Sequence, residues 1–76
     1  MNKARRKQID DVIRKLDDLK MEIESILDDE QDYLDNIPEN LQGSERYDAA
    51  DEAVSYLSDA SETIDEVSGM LESAKG

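Results

Sequence analysis

Residues 9–37 read IDDVIRKLDDLKMEIESILDDEQDYLDNI, and their apolar members return at alternating steps of three and four. Ile9, Leu16, Ile23 and Ile37 share one heptad position, Val12, Leu19, Ile26 and Tyr33 share another, and Ile13, Leu27 and Leu34 widen the stripe. The spacing predicts one long amphipathic helix over about residues 4–36. Two polar residues interrupt the stripe. Lys20 falls on its flank, where the aliphatic stem can pack while the ammonium reaches water. Glu30 stands where Ile or Leu is expected; the cost of burying a carboxylate places it either near the open end of a bundle or against Arg46 or a tyrosine hydroxyl, and the favoured reading is that a polar residue there fixes the register.

Pro38 ends this helix, because the residue before a proline is pushed out of the α region. The connection is read as residues 37–44, with one short helical turn from Pro38 to Gln42 and Gly43 in the left-handed conformation that closes it. Ser44 then has the character of an N-cap, with Glu45 and Asp48 on the side the helix dipole favours. The second helix is expected over about residues 45–73. Its face is Tyr47, Ala50, Val54, Leu57, Ile64, Val67 and Leu71, completed by Ala53, Ala60, Ser61, Ser68 and Ala74. Gly69, beside Ser68, is a candidate bend or close crossing point, and residues 73–76 are expected to fray. The fold class is all-α: residues 1–76 form one antiparallel two-helix hairpin, a rod of about 45 Å at ~1.5 Å per residue.

The chain has 76 residues with no cysteine and no histidine. That excludes disulfides, zinc fingers, thiol chemistry and the commonest general base. A core this small rarely supplies more than about 3–5 kcal/mol, so self-association is the expected staple. Pairing of two hairpins into a four-helix bundle or coiled coil would bury Ile9, Val12, Leu16, Leu19, Ile23, Ile26, Leu57, Ile64 and Leu71 as an oligomer core.

Charge is divided unevenly. Residues 1–20 hold seven bases and four acids, a net of +3, whereas residues 21–76 hold two bases and seventeen acids, a net of −15, which together give −12. The turn end gathers Asp28, Asp29, Asp32, Asp35, Glu39, Glu45, Asp48, Asp51 and Glu52 around Tyr33 and Tyr47, with only Arg46 opposed. Such a surface suits a basic groove on another protein, and those eleven acidic and tyrosine residues are the expected partner-binding set. Core packing of Tyr33 and Tyr47 against Ile37 and Leu41 competes with use of either ring as an anchor. Lys3, Arg5, Arg6 and Lys7 could meet an anion, but no aromatic residue is interleaved with them and the remaining charge repels polyanions, so direct nucleic-acid binding is not expected.

Asp28-Asp29-Glu30-Gln31-Asp32 lacks the glycine and spacing of an EF-hand loop, so no metal site is expected there. No nucleophile is paired with a base and no glycine-rich phosphate loop is present; neither catalysis nor a cofactor is anticipated. The N-terminal residues carry no apolar signal-peptide core and no run is long enough to span a bilayer, which points to a cytoplasmic protein without a membrane partner.

At Asn2-Lys3-Ala4-Arg5-Arg6, and from Asp35 through Asn36-Ile37-Pro38-Glu39-Asn40-Leu41-Gln42-Gly43-Ser44-Glu45 to Arg46, the chain resembles small acidic helical proteins encoded by bacteriophages and mobile elements of Firmicutes. The resemblance implies a bacterial host cytoplasm, and inhibition of a host defence or nucleic-acid-handling protein by binding alone. It assigns no functional residue. Two alternatives stand beside that expectation: a structural bundle used in assembly, and an anion or nucleotide binder acting through the basic N-terminus.

Overall fold

The computed structural model describes residues 1–76. Helix α1 spans Lys3–Asp35, a single 3₁₀ turn spans Glu39–Leu41, and helix α2 spans Glu45–Ala74. The two long helices pack side by side, antiparallel, as a rod 59 × 15 × 12 Å between Cα extremes. The excess over the expected 45 Å comes from α1 running 33 residues and from the turn that extends past it.

The ends follow from named caps. The Asn2 side chain accepts from the Arg5 amide at 2.8 Å, so the basic first turn is capped despite lacking an acid that the dipole would favour. At the other end Asn36 closes α1 by donating its backbone and its side-chain amide to the Asp32 carbonyl, at 3.1 and 2.7 Å. Ser44 joins the turn to α2. Its hydroxyl donates to the Leu41 carbonyl at 2.6 Å and accepts from the Tyr47 amide at 3.3 Å. Gly43 is not left-handed as expected; Gly76 alone has a positive φ. The 3₁₀ turn is closed instead by Ser44, whose amide also bonds to Leu41.

The seam between the helices keeps strict heptad spacing. On α1 it is formed by Ile9, Ile13, Leu16, Lys20, Ile23, Leu27, Glu30 and Leu34, continued by Ile37 past the helix end, all of them buried or half-buried. On α2 it is Tyr47, Ala50, Val54, Leu57, Ser61, Ile64, Ser68, Leu71 and Lys75. In the usual lettering these are positions a and d of each helix. The second set read from the sequence therefore lies elsewhere: Val12, Leu19, Ile26 and Tyr33 occupy position g and are 43, 49, 54 and 44 % exposed. They flank the seam, because Ile13, Lys20, Leu27 and Leu34 sit nearer the facing helix.

Burial is concentrated at the turn. Leu34, Ile37 and Ala50 form the buried cluster, with Tyr47 and Val54 packed against it. Toward the termini α2 contributes serines, and the Ser68 hydroxyl is buried without a hydrogen-bond partner, a cost of about 1 kcal/mol or more. Gly69 is neither a bend nor a crossing. Helix α2 runs through it unbroken, and a Cβ there would meet nothing within 4 Å. Gly69→Ala should stabilise the fold by about 0.5–1 kcal/mol, since only the backbone freedom of the unfolded chain changes. An unchanged or lowered melting temperature would show that the glycine has a role in packing.

Candidate functional site: an acidic turn end

Three cross-helix contacts fix the register. Lys20 Nζ meets both Asp65 carboxylate oxygens at 2.9 and 2.7 Å, Lys75 Nζ meets Asp10 Oδ1 at 2.6 Å, and the Ser61 hydroxyl reaches Glu24 Oε1 at 3.4 Å. Lys20 is thus more than a snorkelling flank residue, and Lys75 anchors a terminus expected to fray, aided by Glu72 at 3.1 Å. Both lysines are held above their usual pKa of 10.5, Lys20 by its hydrogen bond to Asp65 and Lys75 by its hydrogen bond to Asp10. A lysine whose pKa is raised on folding stabilises the fold below its unfolded value and loses that contribution as pH rises through its folded value. On the alkaline side the two ties therefore persist through neutral pH and weaken above about pH 10.5.

Dividing the rod at the Lys20–Asp65 level separates the charge. The terminal part, residues 1–20 and 65–76, holds eight bases and seven acids, a net of +1. The turn part, residues 21–64, holds fourteen acids and Arg46 alone, a net of −13. Essentially all of the chain's net charge therefore lies in the turn half. Of the acids expected at the bend, none is in an ion pair, and Arg46 is in none either. Their one side-chain hydrogen bond is from Gln31 Nε2 to Asp35 Oδ1, at 2.9 Å.

The structure brings these carboxylates together as rows. Asp28, Asp32 and Asp35 follow one another at i, i+4, i+7 on α1, and Glu45, Asp48 and Glu52 at i, i+3, i+7 on α2, all exposed. Both rows run along the outer surface, on the side of the e positions, where Asp51 also lies. Asp29 stands apart on the opposite flank of α1, and Glu39 sits in the 3₁₀ turn. The tyrosines divide between roles. Tyr47 packs into the buried cluster, while Tyr33, expected to pack against Ile37 and Leu41, is 44 % exposed at position g, on the flank of Asp29 and away from both rows, and Leu41 in the turn is 41 % exposed.

Glu30 meets neither Arg46 nor a tyrosine hydroxyl. It is half-buried in the seam, level with Val54, and makes no hydrogen bond or ion pair. The basic N-terminus borders an open hollow of about 620 Å³ beside Lys3, Ala4, Arg6, Lys7 and Asp10. The basic cluster's sole tie across the hairpin is from Arg6 Nε to the carbonyl of Lys75, the residue that caps α2, at 3.2 Å. Of the acids on the terminal part of α2, Asp65 and Glu72 pair with Lys20 and Lys75, whereas Asp59, Glu62 and Glu66 pair with no base, and Asp59 and Glu62 lie in the turn half. No helix is long and apolar enough to cross a membrane, and no group of three or more carboxylates converges as a metal site would require. Searches of protein-family models, curated proteins and solved structures return no match to this chain.

Proposed function

We propose that this protein acts by binding, without catalysis or cofactor, and that the carboxylate rows of its turn end engage a basic surface of another protein. The observation that supports the reading is the −13 net charge of residues 21–64, displayed on a helical rod with its bend acids unpaired. Repulsion among these groups opposes folding and exceeds what solubility needs; a cationic partner would relieve it. Carboxylates three and four residues apart repeat about every 5–6 Å along each helix, a regular anionic edge of the kind that the basic groove of a nucleic-acid-binding protein receives from phosphates. Leu41, 41 % exposed in the turn at the same end, provides apolar contact.

On the resemblance to phage and mobile-element proteins, the partner is a host defence or nucleic-acid-handling protein and the setting is the cytoplasm of a bacterial host. The test is capture from bacterial lysate at low and high salt, using the wild type and the triple variant Asp28→Lys, Asp32→Lys and Asp35→Lys, which reverses one row and leaves the g edge untouched. The expected result is an identified basic protein held at low salt, released at high salt and absent with the variant, whose helicity is retained. Capture that ignores both salt and charge reversal would sink the reading. The structural-assembly alternative draws its support from a different surface, the apolar edge formed by the g positions.

A further inference from the structure

The two long edges of the rod differ in chemistry. Every ion pair between the helices lies on the e edge, where Lys20 and Lys75 reach Asp65 and Asp10, with Glu24 and Glu72 alongside. The g edge has none. By the register, Val12 lies level with Ala74, Leu19 with Val67, Ile26 with Ala60 and Tyr33 with Ala53. On the α2 flank of this strip Tyr56 and Met70 are each 69 % exposed, and from Ala49 the c and g positions of α2 carry no charge at all.

We propose that this g edge is the contact surface for a second copy of the chain, joined antiparallel by a two-fold axis perpendicular to the rod, so that each turn end lies beside the other copy's termini. Three observations argue for that occupant. The hairpin alone buries only three apolar residues, Leu34, Ile37 and Ala50, with no large side chain fully enclosed, so its own core is too small to leave the strip wet. A face 59 Å long and 15 Å wide matches the roughly 800 Å² per partner of a standard interface. Small Ala53, Ala60 and Ala74 between the larger side chains leave room for facing helices to approach.

Charge selects the orientation. A parallel pair would set two halves of net −13 side by side; the antiparallel pair sets each beside a half of net +1 and turns Lys15 of one copy toward the end that carries Asp29 in the other. The carboxylate rows stay outside, because they lie on the e side. The interface does not depend on the binding function proposed above, and each can fail alone.

The wild-type chain should sediment at twice its 8.6 kDa mass. Tyr56→Glu with Met70→Glu changes residues the hairpin scarcely covers, so helicity should persist while the mass falls to that of one chain. Met21→Lys replaces an equally exposed apolar side chain on the opposite edge and should remain a dimer. For orientation, a spin label on Gly43→Cys occupies open space at the bend; the antiparallel pair predicts label separations near the 59 Å rod length, whereas short separations would overturn the orientation. A monomeric wild type at high micromolar concentration, or a dimer indifferent to Tyr56→Glu with Met70→Glu, overturns the interface.

Discussion

Leu34→Ala is expected to remove most of the stability of the fold. Leu34 is one of three buried apolar residues, held between Ile37 and Ala50 and backed by Tyr47 and Val54. Truncation of a buried leucine costs about 2–5 kcal/mol, the lost transfer energy plus the cavity left behind. A domain of this size has about 3–5 kcal/mol in total. The substitution therefore consumes most of the margin, and with ~4–8 °C lost per kcal/mol the melting temperature should fall by about 8 °C or more. Leu41→Ala is the internal control: that side chain is 41 % exposed in the same turn, so its removal should cost under about 1 kcal/mol. Circular dichroism melts at equal concentration decide the matter. Equal losses for the two variants would show that the cluster at the bend does not dominate stability.

Glu30→Leu should act in the opposite direction. Glu30 sits in the seam between Leu27 and Leu34, half-buried, with no cation or donor against it. Leucine would continue the heptad, cover apolar surface now left to a carboxylate, and remove one of the fourteen acids that repel each other in the turn half. A gain of about 1–2 kcal/mol is expected from partial burial of the new side chain together with relief of desolvation. Glu30→Gln should recover only the charge part and give a smaller rise. If glutamine matched leucine, electrostatics alone would account for the effect; if leucine lowered the melting temperature, the site would be needed for the register of the seam.

A heptad pattern fixes the elements of this fold but not the rotation of each helix about its axis. Both helices, the proline that ends the first, the Ser44 cap and the antiparallel return were legible because each is local: apolar periodicity, a restricted residue before proline and a side-chain oxygen placed to accept an amide. The choice between two candidate inner stripes on α1 was not local. Position d at Ile9, Leu16 and Ile23 can be completed by Val12, Leu19 and Ile26 on one side or by Ile13, Lys20 and Leu27 on the other, and composition favours the first, since it contains no lysine. The facing helix favours the second, because Asp65 lies where Lys20 can reach it and Asp10 where Lys75 can.

The candidate site divides in the same way. Its acids were evident from the sequence as a count, and the bend that collects them followed from Pro38. Their arrangement as two outward rows, with Asp29 set apart and Tyr47 withdrawn into the core, needed the rotation of each helix about its axis.

By itself the sequence determined two helices, one bend and the imbalance of charge between the ends, since periodicity, caps and formal charge belong to the chain before it folds. Only the tertiary structure decided which side of each helix is covered, and with it the contrast between an ion-paired edge and an apolar one. Rotation of an amphipathic helix by a fraction of a turn leaves its own hydrogen bonds intact, so that choice is made by the contacts the facing helix offers.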